Sequence, residues 1–247
     1  MEWRDSGFVL AMRRHGESAA IVEILTAEHG RHAGLVRGGQ SPKRRALLQP
    51  GNAVEVTWRA RLPEHLGTLE CELVRAHAAR FLDDPDRLAG LMAAASLVAS
   101  SLPEREPHGD VYRSFERFVE SLGSGRGWAA HYVAWECELL TALGYGLDLS
   151  SCAVTGVTED LVYVSPRTGR AVSREAGRDY RDKLLPLPAF LTRETPADPA
   201  AIAAGLTLTG YFLDHHLMQP QGRNLPEARE RLVERMRRAG AVGTLTP

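Results

Sequence analysis

Thiols, imidazoles and a dense run of cations are the side chains through which this sequence could do chemistry. The three cysteines, Cys71, Cys137 and Cys152, are an odd number with no C-x-x-C spacing. That argues against a secreted disulfide scaffold and fits a reducing compartment. Cys152 lies in Ser151-Cys152-Ala153-Val154-Thr155-Gly156, a loop setting for a metal thiolate. Zinc needs four nitrogen or sulfur ligands and no further cysteine follows, so no metal is expected. Cys137 falls in a Trp- and Leu-rich helical stretch, a poor place for a nucleophile. The doublet His215-His216 reads as structural or surface, because neighbours on a helix point about 100° apart and cannot share one metal. Phosphate-loop, dinucleotide, H-E-x-x-H and G-x-S-x-G patterns are all missing, so no catalytic residue and no cofactor is expected.

The cations are more informative. Of 30 basic residues 28 are Arg, with Lys43 and Lys183 the exceptions, a bias that a GC-rich genome explains without special chemistry. Against 31 acids the formal charge is -1, which excludes a histone-like binder whose whole surface is basic. The charge is nevertheless uneven. Residues 1–80 carry 12 Lys+Arg and 9 Asp+Glu, whereas residues 81–247 carry 18 and 22. Between Glu28 and Glu55 there is no acid, yet Arg31, Arg37, Lys43, Arg44 and Arg45 fall there. With Arg13 and Arg14 at the first turn, these can line a groove that tracks phosphates, and Trp58 or Phe8 is a candidate for stacking on bases. The bland alternative is a solvated loop over 37–45 and a core tryptophan.

The elements that must position these charges come in two vocabularies. Short β-prone runs at Phe8–Met12, Ala20–Leu25 and Ala33–Val36 are bounded by glycines. Val54, Val56 and Trp58 then alternate with polar neighbours, as do Leu69, Cys71 and Leu73. Five short strands within about 75 residues predict an OB-type barrel. After Asp83 the pattern turns helical, at Arg87–Leu102, Val111–Leu122, Trp128–Leu143, Pro199–Met218 and Pro226–Arg238. An irregular insertion over 148–190 holds a possible hairpin, Leu161–Val164 with Arg170–Val172. The fold class is therefore α+β, an OB-type domain over 1–80 followed by a mainly helical domain over 81–247. The acidic start Met1–Asp5 does not resemble an export signal, and Leu88–Pro103 falls short of the roughly 20 residues of a membrane span.

Several of these pieces together resemble the RecO family of bacterial recombination mediators. They are Gly16-Glu17, the run Ile24–Gly30, Val36-Arg37-Gly38-Gly39 with Ser41-Pro42-Lys43, and Leu48-Gln49-Pro50-Gly51. Glu138–Tyr145, Leu149–Gly156 and Val164–Gly169 extend the resemblance over nearly the whole chain. It implies a cytoplasmic, nucleoid-associated and non-enzymatic DNA repair protein. Such a protein binds single- and double-stranded DNA, anneals complementary strands, and works with RecR and single-strand-binding protein to help load RecA. Some relatives carry a four-cysteine zinc site in the insertion. Here Cys152 alone remains, with Thr155 and Ser173 in the regions of the missing thiols.

Trp128–Leu143 is rich in aromatic residues beside Arg126 and His131. With Trp135 they form a candidate pocket for the acidic, hydrophobic tail of single-strand-binding protein, against the simpler reading of a helical core. Three competing readings of the whole remain at this point. One is a protein-binding adaptor with an OB-like barrel. Another is an RNA-binding module, and the third an enzyme with a site around Cys152 and His215-His216.

Overall fold

In the computed structural model, which describes residues 1–125 and 127–243, the first strand β1 (Glu2–His15) is 14 residues long. Strands of about 5–6 residues are the rule. The extra length closes a barrel. The first half of β1 pairs antiparallel with one neighbour, Trp3 opposite Trp58, and the second half pairs with another, Arg13 opposite Ile21. After β1 come β2 (Ala19–Thr26), β3 (Gly30–Val36), the short helix α1 (Pro42–Leu47), β4 (Ala53–Arg59) and β5 (Thr68–Arg75), and those two neighbours are β4 and β2 respectively. The closed order is β1-β2-β3-β5-β4, with β3 and β5 meeting in parallel at Leu35 and Thr68. This is the five-stranded OB-type topology. Gly7 sits where β1 changes partners, paired with both Thr26 and Val54. A Cβ there would lie 2.6 Å from Ile24 Cγ2 and 2.9 Å from the Leu25 carbonyl oxygen, so only glycine fits.

The expected strand Phe8–Met12 covers only the middle of β1, because Glu2, Arg4 and Arg13 on its outward positions mask the alternation. Inside the barrel, Val9, Val22, Ile24, Val54, Val56, Trp58, Leu69 and Cys71 form one buried cluster, closed by Leu48. The segment expected as an exposed loop folds instead into α1, with Pro42 in its first turn. Asn52 holds that helix in place. Its side-chain amide donates to the carbonyls of Ala46 (3.1 Å) and Leu47 (3.0 Å), and its side-chain carbonyl accepts the Ala78 N–H at 3.1 Å. Orphan carbonyls at a helix end need such partners.

Two longer helices follow, α2 (Pro85–Ser101) and α3 (Gly109–Ser121). Asp84 caps α2 by accepting the Arg87 N–H at 3.1 Å. The Phe8 ring meets Tyr112 and Phe115 of α3 at centroid distances of 5.6 and 5.3 Å. Both helices therefore fold with the barrel, and the chain divides into compact units at Met1–Gly123 and Ser124–Pro247. Residue 80, where the sequence changes from strands to helices, lies inside the first unit.

The second unit comprises α4 (Trp128–Ala142), the hairpin β6 (Leu161–Val164) and β7 (Ala171–Ser173), the single turn α5 (Arg174–Gly177), β8 (Leu185–Pro186), α6 (Pro199–Leu213) and α7 (Glu227–Gly243). The expected hairpin forms with Val164 opposite Ala171, and β8 adds to its other edge in the order β7-β6-β8. Among α4, α6 and α7 lies an ion pair. Glu136 is 0% exposed and Arg229 2%. Arg229 Nε donates to Glu136 Oε1 at 2.7 Å, and its Nη2 to Glu136 Oε2 at 3.0 Å and the Leu206 carbonyl at 2.8 Å. The Thr209 hydroxyl donates to Glu136 as well. Among the described residues, no helix is long and apolar enough to cross a membrane.

Candidate nucleic-acid interface

One end of the barrel gathers most of the cations singled out above. Across the sheet Arg14 stands beside Ala20, and Ala20 beside Val36, so the ends of β1 and β3 lie two strand spacings apart, about 10 Å. Gln40 ties these ends together. It accepts from Arg14 Nε at 2.6 Å and donates to the carbonyls of Gly16 (3.0 Å) and Ala19 (2.8 Å). Arg37 follows β3 directly, and α1 then presents Lys43, Arg44 and Arg45. Arg13, Arg37, Lys43 and Arg45 are exposed. Among the described residues no carboxylate pairs with any of them. Arg44 is half-buried and donates to the Cys71 carbonyl at 3.1 Å. It lies with Arg37 in a groove of about 430 Å³ whose other members include Leu35, Thr68, Glu70 and Glu72.

The neighbouring wall, formed by the start of β1 with β4 and β5, is the electrostatic opposite. There Arg4 pairs with Glu55 at 3.5 Å, and Arg59 with Glu2 at 2.9 Å and Glu70 at 3.0 Å. The hydrogen bond from Arg59 holds the Glu2 carboxyl below its usual range, and Glu2 and Glu70 in turn raise Arg59. This wall therefore offers a polyanion carboxylates and compensated cations, whereas the basic end offers cations with no carboxylate partner among the described residues.

A profile described as "Recombination protein O N terminal" matches residues 1–77, and one described as "Recombination protein O C terminal" matches residues 82–224. The chain belongs to the RecO family. "DNA repair protein RecO" of Rhodospirillum rubrum is 53% identical over 249 residues, covering 98% of this chain and 99% of that protein. Its namesake in Rhodospirillum centenum is 51% identical over 249 residues, covering 100% and 99%. The namesake in Phenylobacterium zucineum is 51% identical over 243 residues, covering 98% and 100%. The protein is thus a DNA repair protein of the RecO type, with an OB-type N-terminal barrel.

Within this RecO-family barrel several expected roles are not available. Arg31 is 15% exposed in its side chain, and its guanidinium donates to Glu23 at 2.8 Å and to the Leu102 carbonyl at 2.9 Å, with Glu104 3.7 Å away. Its charge is spent inside the first unit. Trp58 is 2% exposed and its Nε1 donates to the Leu66 carbonyl at 3.0 Å, while Phe8 is 4% exposed against α3. Neither ring can reach a base. Trp58 sits on an inward position of β4, where barrel closure buries it, while Phe8 lies on the outer face of β1 and is covered by Tyr112 and Phe115 of α3. Trp135 is likewise buried in the second unit, so it offers no face to a peptide. His131 is exposed on α4, and Arg126 lies outside the described residues.

The insertion does not suit zinc. Cys152 is buried, and its Sγ accepts the Ser173 N–H at 3.3 Å. Burial opposes its ionisation, but hydrogen bonds from Ser173 and Thr155 outweigh that and bring the thiol down to about 6. One thiol beside two hydroxyl-bearing residues is not a zinc donor set. Among the described residues no group of three or more His, Cys, Asp or Glu could hold a metal. His215 and His216 stack on Tyr211 and Tyr145 instead, at 3.9 and 5.0 Å. Sequence reasoning missed Gln40 and Asn52, the two amides that assemble the basic end. Gln40 follows a Gly-Gly pair, a weak turn signal, and Asn52 carries no signal in charge or periodicity.

Proposed function

We propose that this chain binds single- and double-stranded DNA through the basic end of its barrel and anneals complementary strands without catalysing a covalent step. One observation carries the proposal: Arg13, Arg37, Lys43 and Arg45 are exposed at one end with no carboxylate partner among the described residues, next to a wall whose cations are paired. Arg14 and Arg44 extend that surface. Annealing requires neutralisation of two phosphate chains without base readout, and local positive charge on a body of net charge -1 supplies it without condensing DNA indiscriminately. Family membership adds the rest of the reading, a cytoplasmic mediator acting with RecR and single-strand-binding protein ahead of RecA.

If Arg37, Lys43, Arg44 and Arg45 each meet one phosphate, the log–log salt slope on single strands is about -3, and a fourfold rise in salt weakens binding about 50-fold. Titration of the purified protein with labelled single-stranded DNA, duplex DNA and RNA at two salt concentrations tests this. Substituting Lys43, Arg44 and Arg45 together by Ala lowers the slope by about two and slows annealing. A folded triple variant with an unchanged slope refutes the site. Retention of an acidic peptide but no oligonucleotide replaces the reading with a protein adaptor, and a strong preference for RNA replaces it with an RNA binder.

A further inference from the structure

The insertion of the second unit contains a second arrangement of cations around an exposed ring. Residues Arg178–Lys183 form a 3-10 helix with no buried residue. In such a helix every third side chain falls in line. Arg178 and Arg181 therefore share one edge, Asp179 and Asp182 another, and Tyr180 and Lys183 the third, which sorts the acids away from the ring.

Tyr180 is 60% exposed although both ends of the segment are tied down. On the N-terminal side Arg174 grips Asp160 through Nε (3.0 Å) and Nη2 (3.2 Å). Gly177 lies so close to Tyr163 that a Cβ would be 2.7 Å from its ring. On the C-terminal side Leu185 pairs with Val164 of β6. The segment is thus an exposed bracket anchored on both sides. The neighbouring Arg170 and Arg174 are paired with Asp148 and Asp160. Among the described residues no carboxylate reaches Arg178 or Lys183, and Arg181 has only a 3.7 Å contact with its neighbour Asp182, both largely exposed.

We propose that Arg178–Lys183 is a second contact for single-stranded DNA, with Tyr180 stacking on a base while Arg178, Arg181 and Lys183 meet the flanking phosphates. An exposed ring beside the unpaired Arg178 and Lys183 and the loosely held Arg181 is the pairing of groups that unstructured strands require, since every base has a π-face and every linkage a charge. The inference rests on the annealing activity proposed above. Annealing needs two strands held by one molecule, and a second contact on a separate unit raises the effective concentration of the second strand.

The test uses the full chain. Binding of labelled oligo(dT) and annealing of two complementary oligonucleotides are measured for Tyr180→Ala, Tyr180→Phe and the triple variant Arg178→Ala/Arg181→Ala/Lys183→Ala. Each is made in the parent and in the Lys43→Ala/Arg44→Ala/Arg45→Ala background. In that background the second triple variant and Tyr180→Ala each lower oligo(dT) affinity about tenfold further, while Tyr180→Phe retains it. In the parent the same changes slow annealing about tenfold. Variants that melt with the parent, yet bind and anneal as it does, overturn the inference and leave the barrel site standing. Equal loss for duplex DNA overturns the stacking role, because a paired base offers no free face. A parent chain that binds no DNA defeats the proposed function first, and this inference with it.

Discussion

The basic end of the barrel and the Glu136–Arg229 pair use the same chemical groups to opposite ends. At the barrel, guanidinium and ammonium groups are exposed and uncompensated, so they contribute little to folding and their field extends into solvent. In the second unit one guanidinium and one carboxylate are buried and hydrogen-bonded to each other, to Thr209 and to the Leu206 carbonyl. Their field is consumed locally, and their loss leaves an uncompensated charge in an apolar setting. Gly210 shows how far the packing is shaped around that pair, since a Cβ there would lie 2.8 Å from an Arg229 nitrogen. What a cation does is therefore decided by its surroundings: unpaired at a surface it is available to a polyanion, and paired in the interior it locks helices together.

The sharpest way to break this contrast is to remove one partner of the buried pair. Arg229→Ala is expected to destabilise the second unit by about 3–5 kcal/mol, with little dependence on salt. Replacing both partners with apolar residues of similar size, Glu136→Leu with Arg229→Met, is expected to recover most of the loss. Urea denaturation of the two variants checks both expectations, and a near-neutral Arg229→Ala would place the pair among ordinary surface bridges.

A pH series separates buried from exposed charge in the first unit. Burial holds His32 and His77 at about 4, with Arg105 acting on the former and Arg75 and Arg80 on the latter. Unfolded histidine titrates near 6.5, so the folded state takes up these protons later than the unfolded one. Stability is thus whole above about pH 6.5 and falls as the pH drops toward 4, by about 2 kcal/mol for each histidine. Denaturation midpoints at pH 7, 5.5 and 4.5 measure this. His32→Phe should flatten about half of the slope.

Trp58 is the next test. Trp58→Phe removes the hydrogen bond to the Leu66 carbonyl and part of the ring volume, and should cost about 1–2 kcal/mol without altering the salt slope of DNA binding. A loss of DNA affinity at unchanged stability would instead make the ring a stacking platform. The smallest expected effect on stability is at the basic end. Lys43→Ala and Arg45→Ala should each stay within about 0.5 kcal/mol in a melting experiment while lowering the salt slope of binding.

Residue types and their order along the chain already specify five strands, the helices α2, α3, α4, α6 and α7, the hairpin in the insertion and the acid-free run from Arg31 to Arg45. Local alternation, helical spacing and charge depend on near neighbours alone, so they can be read without a fold. Tertiary structure decided which cations are usable. Pairing of β2 with β3 and the packing of α2 brought Glu23 and the Leu102 carbonyl to Arg31, barrel closure turned Trp58 inward, α3 covered Phe8, and Gln40 was set between the ends of β1 and β3. Folding of the helices put Arg229 against Glu136, 93 residues away in the chain. Pairing and burial are properties of what lies within a few ångströms in space, and no pattern of adjacent residues encodes that distance.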